Sequence, residues 1–194
     1  MFALYANGFE RDGFFVEVGA ADGINLSNTL MLERQFGWDG ILAEANKSFS
    51  RELIKNRSAA IDTRAVTDTS GGFIEFLEAG LNSSAFSKRN MARWGRVEAS
   101  YSVSTVSLLD LLREKNAPQQ IGFLSIDTEG YEYEALSSID FSHYSFNAIA
   151  VERNVAGEKI SDLMAKNGYM QVLKSLSLWD MWFVPVSNRH GLPG

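Results

Sequence analysis

Cysteine is absent from this chain of 194 residues, which excludes disulfides and thiolate-bound metals and suits a reducing compartment. No apolar run approaches the roughly 20 residues that span a bilayer, and the N-terminus lacks a signal-peptide pattern. Positive charge is scarce too: 18 Lys and Arg face 24 Asp and Glu, a formal net charge of −6. That balance argues against a broad nucleic-acid face or a membrane-surface footprint. Histidine occurs only twice, His143 in a loop-like "DFSHYSF" and His190 near the terminus, and both read as structural. There is no internal repeat, low-complexity tract or Pro/Gly/Ser-rich linker. What is present is 45% hydrophobic content, enough for one well-buried domain, and the expectation is a soluble cytoplasmic protein.

Short apolar runs alternate with helix-like stretches. Residues 14–20, 40–45, 59–66, 122–127 and 147–152 read as buried strands, because they are short and rich in β-branched or aromatic residues. Between the first two, Ser27 can cap a helix that carries Leu30, Met31 and Phe36 and ends at Gly37. Ser107-Leu-Leu-Asp110 has capping-box spacing, and Ile160, Leu163 and Met164 repeat at helical spacing before Gly168. Alternation of this kind predicts a parallel sheet with helices on both faces. Residues 169–176 and 180–186 read as a terminal hairpin, which would put one antiparallel strand into that sheet. Trp38, Trp179 and Trp182 read as fillers of the core or sheet edges.

The stretch "FFVEVGAADGINLSNTLMLE", from Phe14 to Glu33, joins a strand to a helix through a carboxylate, two glycines and an aspartate. In an open α/β sheet, ligands bind beyond the carboxyl ends of the strands. Gly19 and Gly23 permit a sharp turn there. Glu17 and Asp22 bring negative charge where a phosphate loop offers only backbone amides, which favours a ligand with hydroxyls or positive charge. Glu44, ending the second strand, suits the two hydroxyls of a ribose. Two acidic strand ends side by side predict an adenosine ligand.

"GFFVEVGAADGINLSNTLMLE", "GWDGILAEAN", "FLSIDTEGYEYEAL" and "IAVERN", in that order, resemble the FkbM-type family of S-adenosylmethionine-dependent methyltransferases. The resemblance implies a Rossmann-like class I methyltransferase fold: a mostly parallel seven-stranded sheet with a C-terminal antiparallel hairpin strand and helices on both faces. It also implies O-methylation of a hydroxyl on a small molecule or sugar; the acidic composition adds the expectation of no nucleic-acid and no membrane partner. The sequence departs from the family pattern at Ala45, where many relatives have proline, and at Ala21, where asparagine is frequent. Residues 1–194 are expected to form a single methyltransferase domain, with 67–100 as a substrate-facing insertion or flap.

Roles follow by position. Gly19, Ala20 and Gly23 would line the methionine part of the cofactor, with Glu17 and Asp22 beside them. Ser27 and Asn28 would meet its carboxylate at a helix start, although capping alone also explains Ser27. Glu44, with Ala45 next to it, would hold the ribose. Asp62, Arg64 and Ala65 are candidates for the adenine edge, by side chain or backbone. Asp127 is the candidate base or acceptor-positioning group, with Glu129 second and Asp127 also bordering the cofactor. Glu152 and Asn154 would face the acceptor from the next strand end. Together these oxygens could hold a hard cation such as Mg²⁺. Glu129 could instead cap the next helix or meet the cofactor's amine, so no metal is assigned. Lys88, Arg89, Arg93 and Arg96 gather around Trp94 with only Glu98 opposing them. This reversed local charge reads either as a solvated helix face or as a flap in which Arg93 and Trp94 grip the acceptor. Two other readings stay open: a nicotinamide-dependent oxidoreductase, disfavoured by the missing middle glycine of G-A-A-D-G, and a cofactor-binding module without catalysis.

Overall fold

Phe14–Val18 forms the central strand β1, and four of its five residues are buried because sheet neighbours flank it on both sides. The computed structural model describes residues 1–78, 84–85, 99–177 and 179–188. In chain order the elements are α1 (Phe2–Ala6), β1, α2 (Leu30–Phe36), β2 (Asp39–Ala43), α3 (Lys47–Asn56), β3 (Ala60–Asp62) and β4 (Ala65–Thr67). Then follow β5 (Phe73–Glu78), β6 (Ser84–Ala85), β7 (Ala99–Ser107), α4 (Leu108–Glu114), β8 (Gln120–Ile126) and α5 (Glu132–Ser137). The chain continues through β9 (Ser145–Glu152), α6 (Gly157–Lys166), β10 (Tyr169–Val172) and β11 (Asp180–Pro185).

The main sheet has seven strands in the order β10-β11-β9-β8-β1-β2-β3. Strands β3, β2, β1, β8 and β9 run parallel, and β11 pairs antiparallel with both β9 and β10. The terminal hairpin is thus where the sequence puts it. Strand order reverses direction between β1 and β8, and crevices for ligands open at such a switch point. Two apolar clusters hold the layers together, one around Val16, Leu124, Phe146 and Leu111, the other around Phe15, Leu42, Leu53 and Trp38. Trp38 is anchored by an indole N–H donated to the Glu10 carbonyl at 3.0 Å. Among the described residues, no helix is long and apolar enough to cross a membrane.

Several expectations are corrected. The run 59–66 is two strands, not one: β3 joins the main sheet, while β4 belongs to a second sheet ordered β4-β7-β5-β6. "GGFIEFLEAG" supplies β5 of that second sheet, antiparallel to β7. The residue capping α2 is Thr29 rather than Ser27, though the Ser27 hydroxyl still accepts from Leu30 N at 3.1 Å. The buried residue of that helix is Leu32, which is not among the Leu30, Met31 and Phe36 named from the sequence. Trp182 stacks on Phe2 with centroids 5.0 Å apart, but Trp179 fills nothing and is 79% exposed. His143 is exposed in a turn and packs edge-on to Tyr144. Lys88, Arg89, Arg93, Trp94, Arg96, Glu98 and His190 lie outside the described residues.

Candidate active site

A cavity of about 260 Å³ opens at the carboxyl ends of β1, β2 and β8. Of the residues expected at a cofactor, Gly19, Ala20, Ser27, Glu44, Ala45, Arg64, Ala65 and Asp127 line it, and so does Glu129. Its floor depends on Gly19, which has φ of 85°. A Cβ there would come within 1.7 Å of the Asp127 carbonyl oxygen, so only glycine lets the ends of β1 and β8 lie this close.

Glu44 is the best-placed carboxylate in the cavity. Its two oxygens accept backbone N–H bonds from Ala21 at 2.7 Å and Asn46 at 2.6 Å, which fixes the group without exhausting its lone pairs. Burial, opposed by those two amides and reinforced by the charge of Glu17, pushes its carboxyl up to about 6.

Other expected residues stand behind the lining. Glu17 is buried and accepts from the Ser27 hydroxyl at 2.9 Å, Asn28 N at 2.8 Å and the Thr29 hydroxyl at 2.5 Å. Arg57, whose side chain is fully buried, sits 3.6 Å from Glu17 and ties the same loop down through Gly23, Ser27, Thr29 and Glu33. Glu17 therefore spends its charge on the loop rather than presenting it to the cavity. Asp22 does likewise, accepting from Ile24 N and Asn25 N at 2.9 and 2.8 Å. Those bonds overcome the effect of partial burial and hold its carboxyl below the usual range. Gly23 packs its backbone against Leu53 and Arg57. Asn28 donates to the Ser125 hydroxyl at 2.9 Å. The Asp62 carboxylate is held by Arg64 at 2.7 Å and faces Lys115 at 3.6 Å, so it is not offered to a ligand edge.

The second group of acids surrounds the turn after β8. Carboxylate oxygens of Asp127, Glu129 and Glu152 lie within 4.8 Å of one another. Asp127 is exposed as a whole residue, yet its carboxyl is crowded enough that desolvation leads, followed by the charges of Glu129, Glu132 and Asp180. A hydrogen bond with Glu152 opposes them, and the group is pushed up to about 7. The helix that follows has Tyr131 at its N-cap with no side-chain cap bond, and Glu132 holds the turn instead: it is buried and accepts from Thr128 N, Gly130 N and the Thr128 hydroxyl. Asn154 donates to Glu132 and accepts from Ala156 N, so neither it nor Glu152 lines the cavity. Glu129 adopts φ of 57°, a conformation uncommon for residues with a side chain.

Sequence reasoning missed Asn25, Leu26, Phe49, Ile74, Phe76 and Tyr131 as lining residues, and Arg57 and Glu132 as anchors. The alternation of Phe73, Ile74, Glu75 and Phe76 carried a signal for one apolar face. Arg57 carried none, since it reaches the loop from the end of α3.

A family model described as Methyltransferase FkbM domain matches residues 17–170. Among solved structures, the ribosomal protein L11 methylase of Lactobacillus delbrueckii subsp. bulgaricus aligns with a TM-score of 0.51 and 11% identity. That alignment covers 95% of this chain and 76% of the other. The precorrin-6y C5,15-methyltransferase of Geobacter metallireducens GS-15 aligns at 0.48 with 12% identity, over 94% and 83% of the two chains. A comparison with curated proteins found no match. The first structural likeness bears on the fold alone and agrees with the Rossmann-like sheet described above.

Proposed function

The chain belongs to the FkbM methyltransferase family, an S-adenosylmethionine-dependent group, and from that premise we propose O-methylation of a hydroxyl on a small molecule or sugar. The observation that carries the cofactor assignment is Glu44, a buried carboxylate in the cavity wall with both oxygens pre-oriented by backbone amides. Such a group accepts from vicinal ribose hydroxyls with little reorganisation. The small residues Gly19 and Ala20 leave room at the other end for the methionine part, with Ser27 and Asn25 beside it.

When bound, S-adenosylmethionine supplies a methyl group on a positively charged sulfur, and that charge vanishes during in-line transfer. The protein gains nothing by gripping sulfur with an anion, since that would favour the ground state. In this arrangement Glu44 is committed to the ribose, and Asp127 follows β8, on the other side of β1 from Glu44. A hydroxyl acceptor must lose its proton, and Asp127, with its carboxyl raised to about 7, is poised to take it near neutral pH. Burial and the charges of Glu129, Glu132 and Asp180 support that role by keeping the proton affinity of Asp127 high, against the hydrogen bond with Glu152. The same three carboxylates also suit a hard cation. Turnover is expected to survive EDTA; collapse on chelation and recovery with Mg²⁺ would put a cation on them instead.

The direct test is isothermal titration with S-adenosylhomocysteine and with NAD. Wild-type protein should bind the first and not the second. Glu44→Ala should weaken binding of S-adenosylhomocysteine about tenfold to a hundredfold, because bonds to a charged acceptor contribute roughly 1.5–3 kcal/mol each. Unchanged affinity in that variant would remove the ribose assignment. A methyl-release assay over hydroxylated acceptors then separates an enzyme from a module that only binds.

A further inference from the structure

The cavity lining is chemically mixed: Asp127, Thr128, Glu129 and Tyr131 follow β8, whereas its apolar half, Ala45, Phe49, Ile74 and Phe76, comes from the turn after β2, from α3 and from β5. Ile74 and Phe76 belong to β5 of the second sheet, two residues apart, so their side chains leave the same face of the strand. Phe73 and Glu75 take the opposite, exposed face. Register places Ile74 against Val103 and Phe76 against Tyr101, and Ala45 and Ala65 pack into the same small cluster. The ring of Tyr101 stacks on Phe76 with centroids 5.6 Å apart. Its hydroxyl accepts from Lys47 N at 2.9 Å, and Lys47 Nζ lies 4.3 Å above its ring. The second sheet is therefore fastened to the turn that follows Glu44.

We propose that the second sheet is part of the nucleoside site: Ile74 and Phe76 form the apolar wall on which the adenine ring packs, and Tyr101 locks that wall to the Glu44–Lys47 turn. This rests on the assignment of Glu44 to the ribose. A ribose held at Glu44 has its base on one side and the sulfur on the other. Asp127 and the other carboxylates border the side where a proton must be removed, which leaves the base to the apolar half. A flat, weakly solvated ring gains from such a wall by losing contact with water. Of the side chains first expected at the base, Asp62 does not compete for it, because it is held by Arg64 and Lys115, while Arg64 and Ala65 line the same cavity.

Calorimetric titration of wild type, Ile74→Ala, Ile74→Trp and Tyr101→Phe with S-adenosylhomocysteine and with adenosine tests this. Binding of S-adenosylhomocysteine by wild type is scored first, because its absence would overturn the cofactor reading and this inference with it. Given that binding, Ile74→Ala should weaken both ligands by the same factor, about fivefold to tenfold, since the wall meets only the base. Ile74→Trp, which fills the apolar half, should abolish binding of both. Tyr101→Phe keeps the ring packing and should weaken both about threefold, which keeps the question answerable if an Ile74 variant fails to fold. Unaltered affinities in all three variants would overturn the proposal. So would a rise in acceptor KM with cofactor affinity intact, which would give the wall to the acceptor.

Discussion

Ala21 holds φ of 45°, the left-handed region where an alanine side chain costs roughly 1 kcal/mol relative to glycine and where asparagine is tolerated best among the others. Its N–H must point at Glu44, so the strain belongs to the geometry of the site. Ala21→Gly should relieve the backbone and Ala21→Asn should do so in part, with gains of up to about 1 kcal/mol in chemical denaturation and cofactor affinity retained. A loss of stability in both would show that the alanine methyl packs usefully. At Asp127 the expectation is kinetic: Asp127→Asn should cut turnover by about a hundredfold or more while cofactor affinity stays within a few fold. In wild type, turnover should rise with pH through about 7, where the raised carboxyl becomes a base, and the asparagine variant should lose that limb. That Glu44 and Asp127 lie in the cavity wall was legible because strand ends are where ligands meet an α/β sheet. Glu17 and Asp22 satisfy the same rule in sequence and stand behind the lining. Nothing in the local spelling tells a carboxylate that faces a ligand from one that satisfies the amides and hydroxyls of its own loop.

Helix α4 shows what local chemistry does specify. Ser107 sits at its N-cap with extended backbone and accepts from Asp110 N at 3.0 Å, the bond that the Ser-x-x-Asp spacing predicts. Ser107→Ala should lower unfolding free energy by about 1 kcal/mol, read as a shifted denaturant midpoint at constant slope. An unmoved midpoint would mean that Ser70, which accepts from Ser107 N at 2.9 Å, holds this helix start by itself. The parallel strands were equally readable, because burial on both faces leaves continuous apolar runs. The second sheet was not. Its pairing of 73–78 with 99–104 spans a long stretch of sequence, and register across such a gap is set by which faces bury, not by any turn signal. The division of 59–66 follows from the same cause. Ala60–Asp62 finds its partner in β2, whereas Ala65–Thr67 finds its partner in β7, and no residue between them announces the change.

Across the whole molecule, the two site carboxylates contribute to the pH dependence of the ligand-free fold, in the same direction as Glu17 and Asp180, whose carboxyls burial also raises. Glu44 and Asp127 titrate at about 6 and about 7 when folded, above their ordinary 4.5 and 3.8. A carboxyl raised on folding favours the protonated native state, so its contribution is complete below the unfolded pKa and disappears as pH climbs through the folded one. Asp62 and Glu33 behave oppositely: burial is outweighed by bonds from Arg64 and from Ser58 and Arg57, both carboxyls are lowered, and their contribution disappears in acid. The two sets together place the stability maximum of the ligand-free protein at mildly acidic pH, with a decline from about 4 to 7. A formal charge of −6 adds repulsion in the same direction. Ligand binding should reverse this slope, because ribose hydroxyls donating to ionised Glu44 stabilise the form that burial penalises. Thermal melts from pH 4 to 8, with and without S-adenosylhomocysteine, should therefore diverge as pH rises, the ligand-induced shift in Tm growing up to about pH 6 and levelling above it. In Glu44→Gln that growth should disappear while the Asp127 part of the decline remains. Parallel curves in wild type would separate Glu44 ionisation from cofactor binding and return the carboxylate to a purely structural place in the β2 turn.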